Sequence, residues 1–455
     1  MQLIYRALIL TLLLAAPTQA RDISDEALDW VQQFLRVDTI NPAGNESRAV
    51  EFLGNILDAE NIEWHSAESA PGRGNIWARL KGGDKPALIL LQHTDVVPAD
   101  PKYWTTDPLS GEIRDGYLWG RGALDMKGTG ISQLATFISL KRAGIALNRD
   151  VILVATADEE AGGKFGAGWL VKNHPEIFNG AGLLLNEGGF GTQSANGVIF
   201  NVEVTQKVPV WLHLKAVDTP GHGSSPHTTS SVTRIVDALG ILRQNPSAPR
   251  IIPAVDRMFK SLATDAELEW QGAYADIAAA VSQPDFLPRL QAHSPHLHAL
   301  TRDTCSITRL QASNKINVVP PEAWAELDCR ILPDRPSAVF VDEIRELLKA
   351  TGVEIEVLMA FTPAVSSTDT PLYEAIVDYT NSHYPNSKVR PVVSTGFTDS
   401  HFTRDLGISS YGFNPIIIPE SEFSRIHGND ERVNVANFKR GVTDHLEIVK
   451  KVVYD

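Results

Sequence analysis

The stretch HTDVVP, residues 93–98, sets an imidazole and a carboxylate two positions apart at the end of the apolar run ALILL. Asp158, Glu159 and Glu160 follow a second such run, VILVATA, and Glu187 follows a third, AGLLLN. His427 stands a short loop beyond a fourth, SSYGFNPIII, and Asp125, in GRGALDMKGTG, precedes a helical pattern. In open α/β sheets ligands bind outside the carboxyl ends of the strands. Carboxylates gathered at that one edge would repel one another, and one or two divalent cations would remove the repulsion. Imidazole with carboxylate suits zinc, at about 2.0–2.2 Å. Asp95 can accept the second ring N–H of His93 and fix its tautomer. Asp125, with two ligating oxygens, can bridge a metal pair at roughly 3.5–4 Å. Each feature alone has a plainer reading: a local His–Asp hydrogen bond, a solvated DEE loop, a turn at NEGG. The metal reading rests on their convergence.

That convergence requires particular elements. Apolar runs of strand length alternate with helical patterns such as ISQLATFISLKRAG and FGAGWLVKNH, which indicates an α/β fold: a mainly parallel sheet with helices on both faces. Two amphipathic helices, ISDEALDWVQQFLRV and ESRAVEFLGNILDAEN, precede it. From about Val208 the texture changes to β-α-β-β-α-β, the order of a ferredoxin-like α+β unit, interrupted by a mainly helical insertion at about residues 245–300. From about Phe361 the α/β pattern resumes. The expected organisation is a catalytic domain in two parts, 21–207 and 361–455, with a smaller domain inserted at 208–360.

The bulk numbers bound the partners. A chain of 455 residues is too long for one core, and 43% hydrophobic with 21% charged residues is an ordinary globular composition. A formal net charge of -14 opposes nucleic acid and anionic membrane surfaces. Residues 1–20, MQLIYRALILTLLLAAPTQA, have the cation, apolar run and small residues of a secretory signal cleaved near Ala20. A periplasmic or secreted protein is therefore expected, with no membrane segment in the mature form. In such a compartment Cys305 and Cys329, in strand-like segments flanking a turn near Asn317, can pair across strands or stay as two buried thiols.

Taken in order, HTDVVP, WGRGALDMKG, ADEEAGG, NEGG, PGHGSSP, NVVPPEAWAELDCRILP and IHGNDERV resemble the dizinc aminoacylase/carboxypeptidase family, over essentially the whole chain after residue 20. The resemblance implies two zinc ions, with cobalt able to substitute. His93 and Glu187 would ligate one, Glu160 and His427 the other, with Asp125 bridging. Glu159 would be the general base on a metal-bridging water, and Asp95 would orient His93. The inserted domain would be a lid, often the dimerisation surface, whose His222 stabilises the oxyanion, in dimeric relatives from the opposite subunit. Asn317 and Arg330 match positions that contact substrate, Arg330 through a carboxylate. His401, in GFTDSHFTRDLG, is a further expected substrate-binding residue and stands where many relatives carry arginine, which weakens the transfer of a particular specificity. Glutamate at position 187 accompanies carboxypeptidase or acylase activity.

The expected function is hydrolysis of an amide next to a free carboxylate, in a small peptide or N-acyl amino acid. Two alternatives stand beside it: an aminopeptidase or dipeptidase of the same family, and a catalytically silent periplasmic binding protein. The histidines of HSPHLH (His293, His296, His298) read as a solvated loop or a stray metal site.

Overall fold

The computed structural model describes residues 21–194 and 197–454, so the expected signal at 1–20 lies outside the described residues. The apolar runs lie side by side in an eight-stranded sheet. Its order is Trp64–Glu68, Gly74–Leu80, Arg149–Thr156, Lys85–His93, Ala181–Ser194, Ser409–Ile418, Gly197–Gln206 and Lys388–Ser394. The four central strands, from Arg149–Thr156 to Ser409–Ile418, are mutually parallel. The strand flanking them on each side runs antiparallel to its inner neighbour.

The continuous apolar runs have a direct cause in this layering. Leu88 and Leu90 point into one core, with Val151, Leu153 and Leu185, while Ile89 and Leu91 point into another, with Ile152, Val154 and Leu184. A strand covered on both faces has no polar side to present. Helices Ile23–Leu35, Lys127–Ala143 and Val435–Val453 contribute Val31, Leu134 and Val449 to the larger core. Leu170 of helix Ala167–Asn173 belongs to the other.

A second, fully antiparallel sheet has the order Thr304–Gln311, Glu322–Ile331, Val208–Val217, Glu354–Ala360. In chain order these are the second, third, first and fourth strands. Helices Ser231–Gln244 and Ser337–Leu348 share its core through Ile235, Leu239, Phe340 and Ile344. Here the apolar pattern alternates, because one face is covered: along Glu322–Ile331 every second residue is buried. Cys305 and Cys329 face each other in register and form a disulfide.

The helical insertion, counted from the sequence as an interruption of the smaller unit, packs elsewhere. Its helices, including Pro253–Ala263, Leu268–Ala275 and Phe286–His293, enclose Val255, Phe259, Trp270 and Leu290, and that core also takes in Val392 and Val393. These two valines lie on Lys388–Ser394, the outermost strand of the large sheet. Asp265 reinforces the contact, pairing with Lys388 at 2.8 Å and Arg390 at 3.1 Å. The insertion thus covers a sheet edge that would otherwise be open to pairing.

One buried histidine of the large core makes the fold acid-sensitive. His445, on the last helix, is 1% exposed; its Nδ1 lies 2.7 Å from Thr136 Oγ1 and its Nε2 has no partner. Burial pushes its pKa down from 6.5 to about 4. A folded-state pKa below the unfolded one gives stability that is present above pH 6.5 and lost as pH falls through 4. The loss is of order 3 kcal/mol over that window. In urea titrations of metal-free protein between pH 7.5 and 4, His445→Gln should lose less of its stability than the parent chain; an equal loss would count against this assignment.

Candidate metal centre

The four central strands are the four that the ionisable residues follow. His93 is the last residue of Lys85–His93, and Glu159 and Glu160 begin three residues beyond Arg149–Thr156. Glu187 lies within Ala181–Ser194, two residues past its last pairing with Lys85–His93, and His427 follows Ser409–Ile418 by nine residues. Parallel neighbours end on the same side, so topology alone brings these groups to one edge. Asp125 enters from the loop before helix Lys127–Ala143, whose Gly130 leaves room for Gln92: a Cβ there would lie 1.8 Å from the Gln92 Oε1. Gln92 directly precedes His93.

Asp125 stands between the two imidazoles. Its Oδ1 is 3.2 Å from His93 Nε2 and its Oδ2 is 3.0 Å from His427 Nε2. Glu187 Oε2 lies 3.4 Å from His93 Nε2, and Glu160 Oε2 lies 3.1 Å from His427 Nε2. Ligand atoms of His93, Glu159 and Glu187 fall within 4.8 Å of one another, as do those of His93, Asp125 and Glu160. The oxygens Glu159 Oε1, Glu160 Oε1 and Glu187 Oε1 are buried without a hydrogen-bond partner. Buried acceptors left unpaired are costly. Three of them, aimed at a cluster of imidazole and carboxylate donors, fit a site for two divalent cations.

The protonation equilibria show the same strain. Burial pushes Glu187 up to about 8, with the Asp125 charge adding to it, and burial followed by the Glu187 charge raises Glu159. At His93 burial opposes the charged ring, but Glu187, Asp125 and Asp95 outweigh it and raise the pKa. Hydrogen bonds to Asp125 and Glu160 lift His427 to about 10. Without metal, a proton neutralises Glu187 at pH 7, whereas at Asp125 burial is outweighed by hydrogen bonds from His427 and His93, which hold its carboxyl well below the usual range.

Asp95 does stand against the His93 ring, more closely through its main chain than through its carboxylate. The His93 Nδ1 lies 3.0 Å from the main-chain oxygen of Asp95 and 3.5 Å from its carboxylate, so the carbonyl is what orients the ring. The carboxylate instead accepts from Asn41 Nδ2 at 2.7 Å, Glu159 N at 3.1 Å and Glu160 N at 3.2 Å. It locks the backbone that carries both glutamates. Asp158, with φ of 67°, turns that loop and is paired with Arg73.

The remaining sequence candidates lie apart from the cluster. His222 lies on an exposed two-stranded ribbon opposite Val318, and the next residue, Gly223, donates its N–H to Asn317 O at 2.9 Å. Ser224 N donates to His222 Nδ1, which leaves Nε2 to carry the ring proton. Arg330 is held bidentately by Asp328, at 2.7 and 3.1 Å, and sits over the Phe397 ring with its Nη1 buried and unpaired. His401 is 5% exposed and stacks on Phe361, with centroids 3.5 Å apart. Burial pushes its pKa down to about 3. The structure thus uses this ring as aromatic packing rather than as lining of the cavity beside the metal ligands. Of the HSPHLH histidines, His293 stacks on Trp270 and His296 lies 3.1 Å from Thr395 Oγ1; they form no cluster with His298.

Two functional groups went unread in the sequence. Glu431, fully buried, accepts from Arg121 Nη1 at 2.7 Å and from the main-chain N–H groups of Gly122, Leu124 and Asp125 at 3.1, 2.7 and 3.0 Å. It therefore fixes the backbone of Asp125 from the segment that carries His427. Asp399, also buried, accepts from Thr156 Oγ1 at 2.9 Å, at the end of the strand that leads to Glu159. Both stand inside quoted motifs, IHGNDERV and GFTDSH, but a buried carboxylate that binds backbone has no spacing signature.

The model of peptidase family M20/M25/M40 matches residues 89–451. The chain is 31% identical over 386 residues to the N-fatty-acyl-amino acid synthase/hydrolase PM20D1 of Xenopus tropicalis, covering 82% of this chain and 74% of that protein. It is 26% identical to aminoacylase-1 of Homo sapiens, covering 92% and 93%. Among solved structures, an M20 family metallo-carboxypeptidase from Sulfolobus solfataricus superposes with a TM-score of 0.73, at 19% identity, over 94% of this chain and 99% of that one. At that identity the likeness speaks for the fold.

Two measurements test the centre. Zinc loading should release protons, because His93, His427 and Glu187 must lose theirs to ligate, and apparent affinity should rise with pH. Calorimetry in buffers of different ionisation enthalpy reads this directly, and zero proton release would contradict the cluster. Glu431→Gln should weaken metal affinity about 10–100-fold, the range seen when groups that orient ligands are lost; competition with a chelator measures it.

Proposed function

Because the chain is a metallohydrolase of peptidase family M20/M25/M40, we propose that it cleaves the amide bond of N-acyl amino acids, or of peptides at their C-terminal residue, with two zinc ions held by His93, Glu187, Asp125, Glu160 and His427. The observation that carries the reading is the convergence of these residues with Glu159 at one sheet edge, three carboxylate oxygens among them unpaired. Ions held by these residues would supply Lewis acidity toward the scissile carbonyl and lower the pKa of a water toward neutrality. Glu159 is outside the ligand set; its free, buried oxygen takes the proton of the attacking water and passes it to the leaving amine. A carboxylate base of raised pKa suits that exchange.

Arg330, with one guanidinium nitrogen buried and unpaired, supports recognition of the free carboxylate. The 208–360 unit acts as a lid. His222 supplies its Nε2–H to the developing oxyanion from the opposite subunit of a homodimer, which agrees with the exposed ribbon it occupies and with Ile307 and Leu310 exposed on the edge strand of the same unit. The disulfide supports an oxidising compartment, and we read residues 1–20 as an export signal to the periplasm or exterior. The relatives that act on acylated amino acids favour the N-acyl substrates over free-amine dipeptides.

In zinc-replete protein Glu159→Gln should lower turnover of N-acyl amino acids by about 10²–10⁴-fold while both metals stay bound; near-normal turnover would remove Glu159 from the role of base. Glu159→Gln and His222→Ala, each inactive alone, should regain part of the activity when subunits are exchanged. No recovery on mixing would place His222 within its own chain or outside the reaction.

A further inference from the structure

We infer that the cleft between the smaller antiparallel unit and the helical insertion binds a small organic anion, with one oxyanion head group on an apolar body. The cleft holds about 690 Å³, within the range that takes a small-molecule ligand (~300–1,000 Å³). No metal ligand lines it, so it is separate from the cavity beside the metal centre. The smaller unit contributes Leu242 and Arg243, at the end of helix Ser231–Gln244, and Phe340 and Ile344, of helix Ser337–Leu348. The insertion and its exit contribute His298, on helix Pro295–Ala299, and Arg302.

The lining is cationic in a chain of formal net charge -14. Among the described residues the side chains of Arg243, His298 and Arg302 make no hydrogen bond or ion pair, and the Arg302 Nε is buried without a partner. A buried donor left unpaired is costly unless something else accepts from it. Asp303, the one carboxylate of the lining, is already matched by Arg250 at 3.1 Å and Arg335 at 2.8 Å. The charges of Arg243 and Arg302 are therefore left uncompensated. Burial lowers the His298 pKa, and the charges of Arg302 and Lys207 lower it further, so the ring presents a neutral N–H in a positive field. Lys207 also fixes the place: its Nζ donates to the main-chain oxygens of Ala299 and Arg302 at 2.7 and 2.8 Å. A cleft lined by one sign of charge concentrates the opposite sign. Guanidinium forks match carboxylate or phosphate oxygens. Leu242, Phe340 and Ile344 give the rest of the ligand an apolar surface.

The test titrates naphthalene-2-sulfonate, by calorimetry, into zinc-loaded and metal-free protein. One molecule should bind per chain with the same affinity in both, and more weakly as salt is raised. Dependence on zinc would place the probe at the metal centre and overturn the inference. Naphthalene-2-sulfonamide lacks the charge and inorganic sulfate lacks the apolar body. Each should bind at least about tenfold more weakly than the sulfonate. Equal affinity for either would overturn the ligand class. Arg302→Gln should weaken the sulfonate about 10–100-fold, the range for a lost hydrogen bond to a charged group. Adding Arg243→Gln should weaken it further. Neither side chain has a protein partner to lose, so both variants keep the fold. Unchanged affinity in the double variant, or no binding to the parent chain, would overturn the site.

Discussion

Four carboxylates converge with two imidazoles at one edge of the sheet, and most of the surrounding structure is a response to that constraint. Asp125, Glu159, Glu160 and Glu187 would repel one another in any medium, and more strongly where water is excluded. A chain that only folded would not assemble them. The cluster persists because each member is tied to a rigid element before the charges meet. Glu159 and Glu160 stand beyond the end of Arg149–Thr156, Glu187 lies in Ala181–Ser194 just past its pairing with Lys85–His93, and Asp125 precedes a helix buried along most of its length. Protons or cations then decide the charge state, and the scaffold decides where the oxygens are.

The ties are themselves carboxylates, used in the opposite way. Asp95 and Glu431 accept main-chain N–H groups next to the ligands: Asp95 those of Glu159 and Glu160, Glu431 those of Gly122, Leu124 and Asp125. Backbone donors meet most of the demand of these buried carboxylates, with Arg121 completing that of Glu431, so both can be enclosed completely, at 0% exposure each. Glu160 and Glu187 keep an oxygen unpaired instead. The same functional group serves as clamp or as ligand according to whether backbone N–H groups reach it.

What the sequence disclosed follows from this division. Parallel strands covered on both faces give continuous apolar runs, so the polar residue that ends each run is conspicuous, and His93, Glu159, Glu160, Glu187 and His427 could be gathered on one edge from the primary structure. The β-α-β-β-α-β succession was equally legible, because the half-covered sheet alternates. Clamps were not legible. Glu431 reads as one more charge in GNDER, and the part played by the Asp95 carbonyl in orienting His93 depends on the turn of the chain after the strand. His401 misled for a related reason: a histidine standing where many relatives carry arginine is read as polar, yet here the ring stacks on Phe361 with Phe402 tilted against it and is used as an aromatic plate. Burial decides that, and burial of one short helix is not a periodic signal.

The insertion shows where sequence order misleads about space. Its residues lie between the first two strands of the smaller unit, so chain order assigns them to that unit, but their apolar faces found Val392 and Val393 on the far edge of the large sheet. An edge strand offers unpaired backbone and a partly exposed apolar face, which makes it the cheapest place to dock added helices. The central strands, by contrast, carry the metal ligands and are covered on both faces, so they have no free surface to accept new elements. The middle of the sheet holds the charges, and its edge carries the helices that shape what lies beside them. Variation in those helices can alter the shape of the cavity while His93, Asp125 and Glu187 keep their geometry. A scaffold of this kind can change substrates without rebuilding its metal centre.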